Sequence, residues 1–495
     1  MRVSINVVAS LFRTLLTVTT IMIVTCAASI AIGLVSGHLT RENLKICLYT
    51  ILIAAPLAGL FFYLSNKLGE YGLSTYLDAI YVVVLTWLIS PFICMIPFIL
   101  YGMSLSNSLF EVISGLTGTG LTVIPNISSA PIVIKLWRSV LQWFGEIGIV
   151  IVSIVLFARP GSPITYLYIA EGREERISVT IWRSVKIMIR IYILYTIIAS
   201  ILYILSGLDP FDAVCIAMTT IATGGFSPYT KPFLQIHIAH WWLFYVTCMI
   251  FMFLGAMNFR DHARLFTGRL REAFSYELKL FIAVSATFII LTSLCYLIFE
   301  KYPLALAFEV GAFHAISALT TTGFELNSLN NLHQMTKLIL ALAMIIGGCT
   351  CSTAGGIKVI RLATFLKNIS WTVSETVKPH ALVRKTVGNI KVEDRDILRT
   401  LTFILLYLTF VFISTLILVA CGYTFVNSLF EVASAMGCAG LTVGVTSPVM
   451  PLPAKITLMI DMLAGRLEIL PWIMFFYTIL PGHRTRRRVL KAPRG

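Results

Sequence analysis

Four short segments rich in glycine, threonine and other small residues recur along an otherwise very apolar chain. They read SGLTGTGL (residues 114–121), TTIATGGF (219–226), SALTTTGF (317–324) and SAMGCAGL (434–441). Extended backbone at such a segment can present closely spaced carbonyl oxygens, to which threonine adds hydroxyl oxygens, and glycine permits the backbone angles that this requires. A ring of such oxygens can replace the hydration shell of an alkali cation. The chemistry that these residue types support is therefore cation coordination.

The spacing of the four segments indicates an internal repeat. Their shared glycines, Gly120, Gly225, Gly323 and Gly440, recur about every hundred residues. A single segment of this kind is more typical of close helix packing through small residues. Four in matching context favour a fourfold repeat instead. The candidate coordinating residues are Thr117, Gly118, Thr119, Gly120, Ala222, Thr223, Gly224, Gly225, Thr320, Thr321, Thr322, Gly323, Gly437, Cys438, Ala439 and Gly440.

Short helices should position these segments. NSLFEVIS (residues 107–114) and NSLFEVAS (427–434) are almost identical, and GAFHAIS (311–317) is a looser copy. Asn107, Asp209 and Asn427 are suitable N-caps, and Pro210 suits a first helical turn. Each predicted helix has about ten residues, which is too short to cross a bilayer and fits a re-entrant half-helix between two full spans.

The composition predicts a membrane protein. The 495 residues are 58% hydrophobic and 12% charged, and the mean hydropathy is +0.88. We expect an all-α polytopic fold with about ten transmembrane helices, in which four repeats of helix, pore helix and helix surround a central ion pore with pseudo-fourfold symmetry. The predicted units are two leading helices (residues 1–70), repeat 1 (71–160), repeat 2 (161–262), repeat 3 (263–368), and repeat 4 with a cytoplasmic insert and a basic tail (369–495).

The basic residues predict the orientation. The formal net charge is +15, and the positive residues concentrate in four connections, at residues 159–183, 260–279, 358–399 and 483–494. Basic connections favour the cytoplasmic side, so both termini are expected inside a multi-pass protein of the cell membrane. Polybasic ends also attract anionic membrane lipids, which we prefer to nucleic acid as their partner.

Several other functions lack their sequence signature. Neither G-x-G-x-x-G after a strand nor G-x-x-x-x-G-K-[ST] occurs, and the ten cysteines form no CxxC pair. The spans also lack paired carboxylates such as D-x-x-x-D. We therefore expect no enzyme activity and no cofactor in this chain. The one sizeable polar insert, residues 368–396, is predicted to form a small hairpin about Gly388 and Asn389.

These motifs resemble the TrkH/TrkG/KtrB superfamily of potassium transporters. The resemblance is most specific in TTIATGGFS (residues 219–227), SALTTTGF, IIGGCTCSTAGGIKVIR (345–361) and DMLAGRLEILPW (461–472). Two leading spans make the chain similar to the TrkH branch. The resemblance implies potassium uptake with the ion as substrate, a homodimer, and a cytosolic nucleotide-binding regulatory subunit similar to TrkA.

A glycine-rich break at residues 347–356 interrupts a predicted span. The residues alone are equally compatible with a functional loop and with a purely structural feature, such as a kink or a close helix contact. The resemblance implies an intramembrane gating loop that includes Gly347, Gly348, Ser352, Thr353, Gly355 and Gly356. It also implies that Arg466, inside the last apolar span, faces the ion path and repels cations, while Asp461 or Glu468 remains an alternative neutralising partner.

Two features depart from the superfamily pattern. Glu146 lies where a glycine is commoner, and its carboxyl group is compatible with a protonated structural role, a cation site or an arginine partner. The fourth segment has the fewest threonines: Gly437 in place of threonine fits the degenerate fourth repeat that the resemblance implies, whereas Cys438 is less usual. Sodium selectivity, or coupling to sodium or protons, is therefore the nearest alternative. A membrane enzyme and a non-conducting scaffold subunit are more distant ones.

Overall fold

The computed structural model describes residues 5–68, 75–148, 151, 181–378, 383–388 and 390–479. The predicted basic connection at residues 159–183 lies largely outside these ranges, and the tail at 483–494 lies wholly outside them. The predicted unit boundaries at residues 70/71 and 160/161 also lie outside them. Within the described ranges the chain is almost entirely helical.

Two long helices lead the chain. They are α1 (Ile5–Val35) and α2 (Arg41–Leu68). They pack along each other, and α1 also contacts two helices of the first repeat. Both are apolar over a full membrane thickness. These are the two predicted leading spans.

Four units of outer helix, short helix and second outer helix follow. Repeat 1 contains α3 (Tyr76–Cys94), α4 (Ile96–Leu100), the short helix α5 (Leu105–Leu116) and α6 (Ile132–Ile147). Repeat 2 contains α7 (Ile181–Leu205), the short helix α8 (Pro210–Ile221), a 3-10 turn (Phe233–Gln235), α9 (Trp241–Gly255), α10 (Phe259–Phe266) and α11 (Leu270–Ala273). Repeat 3 contains α12 (Tyr276–Ile298), the short helix α13 (Leu304–Leu319), α14 (Gln334–Ile346) and α15 (Val359–Val377). Repeat 4 contains the hairpin strands β1 (Thr386–Val387) and β2 (Ile390–Lys391), then α16 (Asp394–Ala420), the short helix α17 (Phe425–Met436), α18 (Leu452–Arg466) and α19 (Ile469–Ile479).

The second outer helices are shorter than the predicted spans. Among the described residues, six helices are long and apolar enough to cross a membrane, and the pair α9 and α10, bent by 109°, makes a seventh. The other three of the expected ten are α6, α14 and α18. The last spans of repeats 3 and 4 are not continuous helices, because the chain breaks at residues 347–358, where the glycine-rich break was predicted, and again at Glu468, where none was predicted. Gly347 and Glu468 adopt φ values of +74° and +61°, which a helix cannot contain.

Two of the three predicted N-caps are wrong. The caps of α5 and α17 are Ser104 and Thr424, three residues earlier than predicted. Asn107 and Asn427 lie in the first turns instead, and each side-chain oxygen accepts a hydrogen bond from a lysine of a neighbouring repeat. The predicted cap Asp209 is confirmed, since it accepts from the Phe211 N–H at 2.9 Å.

The predicted hairpin about Gly388 is confirmed. Thr386 pairs with Lys391 and Val387 with Ile390. Lys385 fixes the hairpin to both flanking helices, because its ammonium group lies 2.9 Å from Glu375 and 2.8 Å from Asp394.

The four units pack as a closed ring. Each second outer helix contacts the short helix of the next unit: α6 packs on α8, α9 on α13, α14 on α17, and α18 on α5. The fourth unit thus returns to the first, as the repeat predicted. The ring directs the C-terminal ends of the four short helices toward one another, which is where the glycine-rich segments begin.

Candidate functional site

The four segments after the short helices share one backbone conformation. We call residues 117–120, 222–225, 320–323 and 437–440 the central segments, with positions 1 to 4. Position 1 is the right-handed C-cap of each short helix. Position 2 is left-handed in all four: Gly118 (+67°), Thr223 (+49°), Thr321 (+54°) and Cys438 (+52°). A left-handed non-glycine residue costs about 1–2 kcal/mol, so the surrounding fold holds this strain at three of the four positions.

The amide groups at positions 1 to 3 of the central segments donate hydrogen bonds to the short helices. In repeat 3 the Thr321 N–H donates to Ala318 O at 3.2 Å and the Thr322 N–H to Ser317 O at 2.8 Å. The same two bonds recur in the other three repeats. Carbonyl and hydroxyl oxygens are then the groups that the segments can present to a ligand. This arrangement suits a cation.

The position-4 glycines bring neighbouring segments into direct contact. Their φ values are +87°, +73°, +84° and +85° in chain order. A Cβ atom added at any of them would lie less than 3.0 Å from the position-3 carbonyl oxygen of another segment. The pairs are Gly120 with Gly224, Gly225 with Thr322, Gly323 with Ala439, and Gly440 with Thr119. The sixteen predicted residues therefore form one closed ring.

Buried acceptors on the short helices hold the chain just beyond the ring. The Glu111 carboxylate accepts from the Val123 N–H at 2.9 Å, and Glu431 accepts from the Val443 N–H at 3.2 Å. In repeat 3 the equivalent acceptor is His314 Nε2, which lies 3.0 Å from the Leu326 amide nitrogen. Each acceptor lies nine residues before the ring glycine, and each donor lies three residues after it. We call these hydrogen bonds braces, and they fix the register in which the chain leaves the ring.

Repeat 2 is braced from the neighbouring helix α6 instead. Gln142 donates to Gly224 O and accepts from the Phe226 N–H at 3.0 Å. Arg138 donates to Ser227 O at 2.9 Å and lies 2.8 Å from the Glu111 carboxylate. One arginine therefore ties the first two units together.

We predict that Arg138→Met destabilises the protein. The Arg138–Glu111 pair is almost fully buried, with side chains 2% and 0% exposed, so the substitution leaves a buried carboxylate without its counter-charge. The expected loss is about 3–5 kcal/mol in the free energy of unfolding. Thermal unfolding of the detergent-solubilised chain measures it. Arg399→Met, which removes an exposed pair with Asp396, is the control and should leave the Tm unchanged. Equal Tm values for the two variants would contradict the claim that the Arg138–Glu111 pair stabilises the fold.

The break in repeat 3 forms a closed loop beneath the ring. Residues 347–358 leave α14 and return to it, because the Ile357 N–H donates to Ile345 O at 2.9 Å and the Lys358 N–H to Ile346 O at 2.8 Å. Gly347 and Gly356 touch at this neck, and a side chain on either would collide with the other strand of the loop. The segment is therefore a folded loop rather than a simple kink.

The loop contacts three of the four central segments. Thr353 accepts a hydrogen bond from Thr223 Oγ1 at 3.1 Å, and its own Oγ1 lies 2.8 Å from Gly255 O. The Gly355 N–H donates to Thr321 Oγ1 at 2.8 Å. A side chain on Gly355 would collide with Gly437 O. The position-2 side chains thus face the loop, and the loop closes one end of the ring.

Arg466 lies at the end of α18, beside the same loop. Its guanidinium donates to Gly145 O at 2.8 Å and Glu146 O at 3.0 Å, which are carbonyl groups at the C-terminal end of α6. Its Nε atom lies 3.7 Å from the Glu146 carboxylate. A cation is favoured at a helix C-terminus, so this position stabilises the charge.

The two partners proposed for Arg466 from the sequence have other contacts. Glu468 lies 2.7 Å from Arg361, and Asp461 accepts from Ser414 Oγ at 2.7 Å. Of the alternatives for Glu146, the structure therefore supports the arginine partner. A cavity of about 50 Å³ separates these side chains from the loop, and its lining includes Ser352, Gly355, Gly356 and Lys358. The predicted gate residues all lie in or beside this loop.

Sequence reasoning missed the braces. Glu111 and Glu431 stand at the same place in NSLFEV, and this repetition was the available signal. His314 and Gln142 had no such signal, because each replaces that carboxylate in a different way.

The fold and the ring define a class of protein: a polytopic membrane transport protein with four re-entrant helices around one polar axis. The chain belongs to the TrkH family of cation transport proteins, whose model matches residues 74–488. Members of this family are transporters rather than enzymes.

Individual relatives agree with this assignment. The chain is 34% identical over 398 residues to a cation transporter of Methanocaldococcus jannaschii, with 80% of this chain and 81% of the relative covered. It is 28% identical over 415 residues to the Trk system potassium uptake protein TrkH of Escherichia coli K12, with 80% and 84% covered. The crystal structure of the potassium transporter TrkH from Vibrio parahaemolyticus matches the fold with a TM-score of 0.81, at 24% identity, over 96% of this chain and 98% of that one.

Proposed function

We propose that the chain takes up potassium ions through the ring of central segments. The observation that carries the proposal is the closed contact of four position-4 glycines with four position-3 carbonyl groups. An ion on the axis would exchange its hydration shell for carbonyl oxygens in this ring. Potassium is the substrate named for the Escherichia coli and Vibrio relatives.

Sodium transport on the same scaffold is the second candidate. Segments 1 and 3 each carry a hydroxyl pair, Thr117 with Thr119 and Thr320 with Thr322, with oxygen atoms 2.8 Å apart. Segments 2 and 4 carry alanine or glycine at both positions. The coordinating oxygens therefore differ around the ring, and this inequality is the observation that favours the second candidate.

Cation flux into liposomes that contain the purified chain tests the proposal. We expect potassium and rubidium flux well above sodium flux, driven by an imposed membrane potential. Equal sodium and potassium flux would favour the second candidate. The absence of flux for every cation, with and without the cytosolic partner, would overturn both candidates. Repeating the assay under imposed proton or sodium gradients separates channel-like flow from symport.

We propose that the loop at residues 347–358 is the gate of this path. Its contacts with Thr223 and Thr321 hold it against the ring, where it blocks ions that leave the central segments. Withdrawal of the loop must also break the hydrogen bonds that the Glu277 carboxylate accepts from the Thr350 N–H at 2.7 Å and from the Thr350 hydroxyl group at 2.9 Å.

We predict that Thr353→Val raises basal potassium flux about fivefold. The valine keeps the shape of the side chain but removes a hydroxyl group that contacts Thr223 and Gly255, and one net hydrogen bond is worth about 1 kcal/mol. The liposome assay without the partner measures the change. Thr372→Val, on the exposed face of α15, is the matched control. A flux equal to that of the control would remove Thr353 from the gate.

We propose that the protein works as a homodimer in the cell membrane, with both termini in the cytoplasm. The basic connection at residues 260–279, with Arg264 in α10 and Arg269 after it, and the hairpin insert then face the cytoplasm. They offer a docking surface for a cytosolic nucleotide-binding subunit similar to TrkA, and for anionic lipid head groups. Native mass spectrometry of the chain in lipid discs tests the dimer, and co-purification with that subunit tests the docking.

A further inference from the structure

Glu146 occupies space that a side chain fills in the other three repeats. At position 2 the other segments carry Thr223, Thr321 and Cys438, whereas repeat 1 has Gly118. A Cβ atom on Gly118 would collide with the Glu146 carboxyl group. The carboxylate therefore lies against the ring itself, at the level where the loop begins, and its side chain is only 4% exposed.

Glu146 and Arg466 are equivalent positions of two adjacent repeats. They are 320 residues apart, as are Gly145 and Gly465, which pack in the same way against the carbonyl groups of Leu116 and Met436. The pseudo-symmetry of the ring thus places one acidic and one basic group at matching sites around a single cavity. Their separation of 3.7 Å makes them an ion pair without a direct hydrogen bond.

The Glu146 carboxylate offsets one of the two positive charges, Lys358 and Arg466, that line the cavity. Among the described residues its lining has two acidic groups, Glu146 and Glu468, and two basic groups, Lys358 and Arg466. Glu468 is held by Arg361 at 2.7 Å. Without the Glu146 carboxylate, a cation that leaves the ring would meet an excess of positive charge.

We propose that Glu146 is a cation-binding group of this cavity, held by Arg466 while the loop is closed. When Arg466 moves away from α6, the carboxylate remains against the ring and receives the partly dehydrated ion that leaves the central segments. The inference rests on the proposed function, since it assigns a further binding residue to the same ion path. It explains why α6 carries a buried carboxylate beside Gly118.

Flux and block measurements on single and double variants test the proposal. In Glu146→Gln, the glutamine fills the space beside Gly118 as glutamate does, but it carries no charge. The positive charge of Arg466 is then uncompensated, so potassium flux should fall about tenfold or more. The double variant E146Q/R466Q should return toward the wild-type flux. The ratio of potassium to sodium flux should stay constant throughout, because the ring is unaltered. Glu309→Gln, a remote carboxylate on α13, is the matched control.

Barium added on the loop side gives a second readout, since a divalent ion of potassium's size is attracted more strongly than potassium by the charge of a carboxylate. We expect Arg466→Gln to bind barium at least tenfold more tightly than E146Q/R466Q. Flux and barium block that are unchanged by E146Q, in a wild-type chain that conducts potassium, would overturn this inference and leave the proposed function intact. A wild-type chain that conducts no cation, alone or with the partner, would overturn both.

Discussion

Gly323→Ser should abolish most potassium flux and reduce the preference for potassium over sodium. The residue has a φ of +84°, and a Cβ atom there would collide with Ala439 O and Gly440 Cα in the neighbouring segment. The carbonyl group must move, and with it one oxygen of the proposed coordination shell. A loss of about 1.4 kcal/mol in the free energy with which the ring coordinates the ion corresponds to a tenfold change. We therefore expect flux to fall about tenfold or more. Liposome flux of potassium, rubidium and sodium measures both effects.

Gly422→Ser is the control for the backbone angle. Gly422 follows α16 with a φ of +99°, and no atom lies within 4 Å of an added Cβ, so this variant carries the conformational strain without the collision. It should conduct like the wild type, and both variants should be checked for the same elution volume in detergent. If Gly323→Ser keeps the wild-type flux and ion preference, the ring is not the selective element.

Arg466→Gln should raise basal potassium flux about tenfold. The guanidinium lines the cavity between ring and loop, and it also ties α18 to the end of α6 through Gly145 O and Glu146 O. A unit charge about 8 Å from an ion contributes roughly 2 kcal/mol at an effective dielectric constant of 20, of which Glu146 cancels a part. Removal of the arginine therefore lowers the barrier and leaves an attractive carboxylate behind. Flux without the cytosolic partner measures the change.

Two further variants separate charge from structure at this position. Arg466→Lys retains the charge but loses the guanidinium group that donates hydrogen bonds to two carbonyl groups. Its flux should therefore lie between those of the wild type and Arg466→Gln. Arg41→Gln removes an exposed arginine at the start of the leading helix α2, outside the four repeats, and should leave flux unchanged. Wild-type flux in Arg466→Gln would remove this residue from the gate.

The sequence predicted the ring because its signal is repeated. Four glycines at regular spacing, each after a short helix, carry the same backbone requirement, and the structure gives them φ values within 14° of one another. The loop at residues 347–358 was ambiguous from its residues, because glycine and serine are equally suited to a kink. Its folded form depends on contacts with Ile345 and Thr321, which no local pattern records.

Long-range pairs account for what the sequence did not predict. Arg466 had two acidic residues nearby in sequence, Asp461 and Glu468, yet it pairs with Glu146 from another repeat. Asn107 had the composition of an N-cap, but Lys455 of the fourth repeat binds its side chain. Such pairs follow from ring closure, and they become predictable only after the order of the repeats around the ring is known.

Bound-ion crystallography tests the central claim most directly. Crystals of the chain grown with potassium and soaked in rubidium should show anomalous density on the ring axis, among the carbonyl oxygens of Thr119, Gly224, Thr322 and Ala439. When sodium competes with rubidium in the soak, the rubidium density should fall only a little. Crystals of Gly323→Ser should lose the rubidium density on the axis. Rubidium density confined to sites away from the ring, in crystals of a chain that conducts potassium, would contradict the account.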